Sequence, residues 1–352
     1  MTAVRVICQW CGSEGPLNDF EFDNVHRDGF WCPFCDGHTY LSEKANKDRR
    51  ILLILESKTG PTPICKPICK LQKRLSPLRY PGGKSKIIDF LSGQFRKMQM
   101  YAFVEVFAGG ASVGLSLLQA DIIQRLVLND TDPGVYAFWN TIKENPEKLL
   151  TRLAEKKPTL DDFKHAQEML DHPERHSSED LAWSELICNR LGYSGITKAG
   201  PLGGWNGTQQ QLLARWNAST LSKRIRTIHA MADRITVTRL DAKELLEQSA
   251  YWNQRSTCFI DPPYVDQGVR LYREFFKQED HEDLARMVNS LYQGFPGADI
   301  IITYDDSELI RRLYPYADVI EVGRNYSCNT KRRNTNGTET SDWQGIQPHG
   351  EL

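Results

Sequence analysis

Short runs of consecutive apolar residues recur along the chain, and the stretches between them return apolar residues every three to four positions. A short unbroken apolar run fits a strand buried on both faces, and the three-to-four period fits an amphipathic helix. Strands are therefore expected at 102–107, 125–128, 235–239, 258–260, 299–303 and 318–322. Helices are expected between them at 84–97, 112–120, 133–143, 242–248, 281–292 and 307–314. Strands alternating with helices predict an α/β sheet. The rhythm breaks between Asn145 and Ile228, where helical periodicity runs through 147–154, 161–170 and 179–191 and then yields to a Gly-rich loop, 192–207. That region reads as an insert, and insertions on such sheets commonly carry substrate selection.

The first 75 residues lack this pattern. Cys8-Gln-Trp-Cys11 and Cys32-Pro-Phe-Cys35 are two C-x2-C knuckles with twenty residues between them. Two such pairs supply four thiolates to a closed tetrahedral Zn²⁺ site, so residues 1–45 are expected to form a zinc ribbon on Cys8, Cys11, Cys32 and Cys35. A module this small has too little core to fold without its metal. Residues 46–75 read as a basic linker whose one apolar patch, 51–55, fits a strand or a short helix. A cut near Lys73 would then leave the α/β domain, 76–343, intact, with 344–352 as a tail. Cys65 and Cys69 have no partner knuckle and read as free thiols.

A chain of 352 residues, 40% of them hydrophobic, can build one large domain and a small one. No apolar run approaches the roughly 18 residues of a membrane span, and the start lacks a signal-peptide layout. A cytoplasmic, reducing location is expected. The net charge of −1 is uninformative, because nucleic-acid binding needs only a local basic surface. Basic clusters occur at 47–86, at Lys223, Arg224 and Arg226, and at Arg324 with Lys331, Arg332 and Arg333. Each fits phosphate contact as well as an ordinary solvated surface.

The candidate chemistry sits at strand ends. Asp261-Pro262-Pro263-Tyr264 directly follows an apolar run, at the sheet edge where open α/β sheets bind ligands. Prolines donate no backbone hydrogen bond and resist joining a strand, so their carbonyls stay free to accept. A carboxylate, a carbonyl and an aromatic ring suit the exocyclic amine of a flat base; a plain strand end and turn would look the same. Glu105 to Ser112 ends another strand in small residues, letting a cofactor approach the backbone beside a helix N-terminus. Asp130, ending the next strand, is placed to hold ribose hydroxyls or to cap the following helix, with Asp132 as the other cap candidate.

Taken in order, Leu78-Arg79-Tyr80-Pro81-Gly82-Gly83-Lys84, Phe107-Ala108-Gly109-Gly110, Leu128-Asn129-Asp130 and Asp261-Pro262-Pro263-Tyr264 resemble the Dam-type DNA adenine-N6 methyltransferases. Asn189-Arg190-Leu191-Gly192-Tyr193-Ser194-Gly195 and Asp241-Ala242 also match in type and order. The resemblance covers about 76–343. It implies a Rossmann-like, doubly wound sheet and methyl transfer from S-adenosylmethionine to N6 of adenine in double-stranded DNA. It places the cofactor against Tyr80, Lys84, Glu105, Phe107, Gly109, Gly110, Asp130, Asp241 and Ala242, with Asp241 on the cofactor's adenine amine. Asp261 and the Pro262 carbonyl would accept the two N6 hydrogens, and Tyr264 would stack on the flipped base beside Pro263. Where the family usually has F-x-G-x-G, this chain carries Ala111 in place of the last glycine, which narrows the space for the cofactor.

Tyr193, Lys198, Trp205 and Asn206 of the insert loop are candidate base or phosphate contacts, and the segment 268–276 is a candidate closing loop. The chain is expected to act as a monomer, with the N-terminal module free to grip DNA or a protein partner. Two other classes fit less of the pattern. One is methylation of another amine, such as cytosine N4, an RNA base or a protein glutamine, where the first motif position more often carries Ser or Asn. The other is a non-catalytic zinc-ribbon DNA-binding protein, which leaves Asp130 and Asp261 unexplained.

Overall fold

The computed structural model describes residues 51–57, 60–61, 71–80, 82–94, 100–248, 256–265, 276–294 and 299–323, together with five short N-terminal strands. Those strands, β1 (Arg5–Ile7), β2 (Glu14–Pro16), β3 (Glu21–Phe22), β4 (Phe30–Trp31) and β5 (His38–Leu41), pair antiparallel in the order β2-β1-β5-β4-β3. Cys8, Cys11, Cys32 and Cys35, like Cys65 and Cys69, lie outside the described residues. So do the segment 266–275 and the basic cluster from Arg324 onward.

The main sheet has seven strands, all parallel. They are β6 (Ile51–Ser57), β7 (Met100–Glu105), β8 (Ile123–Asn129), β9 (Ile235–Thr238), β10 (Ser256–Ile260), β11 (Asp299–Asp305) and β12 (Asp318–Gly323). The order is β12-β6-β11-β10-β7-β8-β9. From β7 the chain winds outward through β8 and β9, then returns to the other side of β7 with β10. The switch point therefore falls between β7 and β10, and a crevice opens there beyond the carboxyl ends of the strands.

Alternation within the strands explains why both faces are covered. Leu52, Ile54, Phe103, Leu126, Leu128, Phe259 and Ile301 enter one core, which is closed by α1 (Ile88–Gln94), α2 (Ser112–Gln119) and α3 (Pro133–Glu144). Ile51, Leu53, Leu55, Val104, Val127, Cys258, Ile260, Ile300 and Ile302 enter the other. The insert adds α4 (Glu147–Glu155), α5 (Leu160–Asp171), α6 (Ser178–Leu191), α7 (Gln209–Leu212) and α8 (Ala218–His229) to the first side, with α6 packed on α3 and α5. The opposite side carries α9 (Ala242–Glu247), α10 (Gln278–Gly294) and α11 (Glu308–Leu313). Among the described residues no helix is long and apolar enough to cross a membrane.

One expectation is corrected. Ile51–Ser57 is not linker: it is an interior strand, paired from Ile51↔Ile300 to Glu56↔Asp305 on one side and with β12 on the other. Its apolar residues are almost wholly buried because both faces and both edges are covered. A cut near Lys73 would tear this strand from the sheet, so any dissection must fall before Ile51.

Candidate active site

A cleft of about 760 Å³, open to solvent, lies at the switch point. Tyr80, Lys84, Glu105, Phe107, Gly109, Gly110, Asp130, Asp261 and Pro263 line it, so most of the expected site residues converge. Ala108 N–H donates to the Asn129 carbonyl at 2.8 Å and Val106 N–H to the Phe259 carbonyl at 3.0 Å, which holds the segment after β7 between its two neighbours.

The glycine turn is held from three directions. Asp130 Oδ2 accepts from Gly109 N–H at 2.8 Å, and the indole of Trp139 donates to the Gly109 carbonyl at 2.9 Å. The Tyr80 ring lies against Gly109 and Gly110; a Cβ on Gly109 would sit 2.6–2.8 Å from three of its ring carbons, and Gly109 has φ +42°. Ala111, at φ +48°, caps α2 in the left-handed region that glycine would adopt without strain. Asp132 is the cap of α3, accepting from Gly134 N–H at 2.8 Å and Val135 N–H at 3.1 Å. Asp130 thus stays in the cleft.

Asp241 and Ala242 do not line the cleft. Asp241 is exposed and accepts from Lys243 N–H at 2.8 Å as the cap of α9. Pro262 and Tyr264 are buried and are not among the residues lining the cleft. Tyr264 instead donates to Glu56 Oε2 at 2.7 Å and accepts from Lys84 Nζ at 2.9 Å. The aromatic surfaces facing the cleft are Tyr80, Phe107, Phe259 and Phe276, with Phe107 and Phe276 meeting edge to face at 5.5 Å.

Asp261 is the chemical centre. Lys84, almost fully buried, donates to its two oxygens at 2.5 and 2.6 Å and to the Gly82 carbonyl at 3.0 Å. Thr303 Oγ1, from β11, donates to Asp261 Oδ1 at 2.6 Å. Burial pushes the Asp261 carboxyl above its ordinary range; Lys84 and Thr303 oppose this and the Glu56 charge adds to it. Glu105, beside them, is pushed up to about 8 by burial, although Gly114 N–H donates to it at 2.5 Å.

Sequence reasoning missed Glu56, Thr303, Asn129 and Trp139. Asn129 has every polar position filled: its amide donates to the Val106 and Leu240 carbonyls at 3.0 Å each and accepts from Thr238 Oγ1 at 2.8 Å and Leu240 N–H at 2.9 Å. It ties together the ends of β7, β8 and β9. The one signal available for Glu56 and Thr303 was a polar residue closing an apolar strand.

The insert is tied to the segment just before Tyr80 through Asn189, which accepts from Arg79 N–H at 2.7 Å and donates to the Arg79 and Gly195 carbonyls at 3.2 Å. Arg190 beside it is buried and donates to the Arg215 carbonyl at 2.6 Å. Its pKa is pushed down to about 10 by burial and by Arg79, Arg224 and Arg215. Arg224 donates to the Ser76 carbonyl at 2.9 Å. Tyr193, Lys198, Trp205 and Asn206 are all exposed.

A parallel doubly wound sheet, a glycine turn and an acid at the end of the second strand define a nucleotide-cofactor-binding α/β enzyme. A family model described as D12 class N6 adenine-specific DNA methyltransferase matches residues 80–328, and the chain belongs to that family. Its substrate is accordingly DNA, its reaction is adenine N6 methylation and its methyl donor is S-adenosylmethionine. No curated protein matches the chain.

Proposed function

We propose that Asp261 and the Pro262 carbonyl accept the two N6 hydrogens of a flipped adenine, and that the cleft between β7, β8 and β10 holds the cofactor. The observation that carries this reading is the position of Asp261, fixed by Lys84 and Thr303 at the switch point inside the cleft that Gly109 and Asp130 also line. When bound, S-adenosylmethionine supplies an electrophilic sulfonium methyl group. Gly109 and Gly110 offer backbone without side-chain bulk, Asp130 is placed for ribose hydroxyls, and Phe107 and Phe276 offer apolar faces for its adenine. Adenine N6 is a poor nucleophile because its lone pair is delocalised into the ring. Accepting both hydrogens lets that nitrogen pyramidalise, and Asp261 takes up the proton that N6 releases once the new N–C bond forms. Positioning and polarisation carry the chemistry, so the cysteines are not needed as nucleophiles.

The target base must leave the duplex to reach a cleft this deep. The insert, 145–228, reads as the target-recognition region, with exposed Tyr193 and Trp205 for bases and Lys198 and Asn206 for bases or phosphates. Arg79, Arg215 and Arg224, around the buried Arg190, read as the phosphate-binding face.

The N-terminal module reads as a zinc ribbon that grips DNA or a protein partner. Support comes from the strand ends: β1 stops at Ile7 beside β5, and β4 stops at Trp31 opposite His38, so both cysteine-bearing connections leave the same end of the sheet. Among the described residues no group of three or more His, Cys, Asp or Glu could hold a metal.

The test is methyl transfer from labelled S-adenosylmethionine to DNA, RNA and protein, with nucleoside analysis of the product. N6-methyladenine in DNA is expected, and label in N4-methylcytosine, RNA or protein would contradict the reading. Mass spectrometry of the intact protein should find one Zn²⁺, lost in a Cys8→Ser/Cys32→Ser variant; its absence would remove the ribbon.

A further inference from the structure

Glu56 is the penultimate residue of β6, a strand that lies outside the residues matched by the family, and its side chain meets Tyr264 and Lys84 of the cluster around Asp261. It is 1% exposed. Oε2 accepts from the Tyr264 hydroxyl at 2.7 Å, and Oε1 lies 3.9 Å from Lys84 Nζ. Lys84 also holds Asp261 at 2.5 and 2.6 Å, so one ammonium stands between two carboxylates. Packing does not account for a carboxylate here. Ile51 to Leu55 are all apolar, and an apolar residue would extend the strand without the desolvation cost of a buried charge.

Charge conservation supplies a reason. Methyl transfer breaks the sulfur–methyl bond as the N6–methyl bond forms, so one positive charge moves from sulfur to N6 and then leaves as a proton toward Asp261. A Lys84–Asp261 pair alone is electrically neutral and does little for a cation arriving beside it. A second carboxylate close by, whose charge already acts on Asp261, adds negative potential in a buried site where it is weakly screened. Glu105 does not supply it, because with a pKa near 8 it is mostly protonated at neutral pH.

We propose that Glu56 is a positioning residue for methyl transfer: its carboxylate anchors Lys84 and Tyr264 beside Asp261 and adds negative potential that favours charge arrival at N6. The proposal rests on the reading of Asp261 as the acceptor of the N6 hydrogens.

The test compares wild type, Glu56→Gln, Glu56→Asp and Asp261→Ala in the full chain, measuring kcat on DNA and the S-adenosylmethionine Kd by calorimetry. The glutamine keeps the shape without the charge; the aspartate keeps the charge on a shorter stem. Glu56→Gln should hold the cofactor Kd within about threefold while kcat falls by roughly 30-fold or more, and Glu56→Asp should return kcat to within about fivefold of wild type. A Glu56→Gln variant with wild-type kcat, or a Glu56→Asp variant no better than Glu56→Gln, overturns the proposal. Should Glu56→Gln fail to bind cofactor at all, Glu56→Asp decides alone: kcat within about fivefold of wild type supports the charge role, and a larger loss overturns it. Asp261→Ala separates the two readings. If it stays active, the Asp261 reading itself fails; if it is dead while Glu56→Gln behaves as wild type, only the role of Glu56 fails.

Discussion

Lys84→Met offers the sharpest stability prediction. Lys84 lies in the cleft wall at 2% exposure, within hydrogen-bond reach of both Asp261 oxygens, Tyr264 and the Gly82 carbonyl, with Glu56 at 3.9 Å. Methionine fills a similar volume, so little of the effect should come from a cavity. What disappears is the ammonium between Asp261 and Glu56, and removing one partner of a buried pair costs about 3–5 kcal/mol. The pH dependence follows from the sign. Burial and the Glu56 charge already raise Asp261, and losing Lys84 removes the opposing influence, so its folded-state pKa climbs further above the unfolded value. A carboxyl raised on folding stabilises at low pH and loses that contribution as pH rises through its folded pKa. Lys84→Met should therefore be closest to wild type near pH 5 and furthest from it at neutral pH and above. Chemical denaturation followed by tryptophan fluorescence across that range is the assay. A loss below about 1 kcal/mol at neutral pH, or a deficit that grows on acidification, would refute the buried-cluster argument.

Three further outcomes are expected. Glu105, raised to about 8 by burial, should make wild-type stability fall as pH rises from the usual carboxylate range toward 8; Glu105→Gln should flatten that fall in the same denaturation series. Gly109→Ala would drive a methyl group into the Tyr80 ring at positive φ, and calorimetry should find S-adenosylmethionine binding weakened by at least about tenfold, or 1.4 kcal/mol. Arg215→Ala with Arg224→Ala should weaken binding to all DNA sequences alike and make its salt dependence shallower by up to about two counterions, read from affinities across a salt series.

Local pattern carried much of the fold. Each expected strand has its counterpart, because a strand buried on both faces is an unbroken apolar run with turn residues at its ends. The run Ile51 to Leu55 left strand and helix open for the same reason: five apolar residues in succession have no period. That it lies between β11 and β12 is a long-range pairing with no local mark. In the site, the residues that came together are those whose chemistry is written beside a strand end: Asp261, Asp130, Glu105, Phe107 and the glycines. Asp241 had the same appearance, yet its carboxylate is engaged in capping α9. Tyr264 read as a ring for the flipped base, and in the structure its hydroxyl bonds to Glu56 and Lys84 and the residue is buried. Those partners lie far from it in sequence, and Glu56 belongs to a segment the motifs do not reach.

The central claim is that Asp261 acts on the adenine amine and not on the cofactor. Asp261→Ala tested for methyl transfer to DNA, alongside calorimetric S-adenosylmethionine binding, addresses it most directly. Loss of roughly 10³-fold or more in kcat, with the cofactor Kd changed by no more than about threefold, is the expected result. Methyl transfer within about tenfold of wild type, or a kcat loss explained entirely by lost cofactor binding, would contradict it.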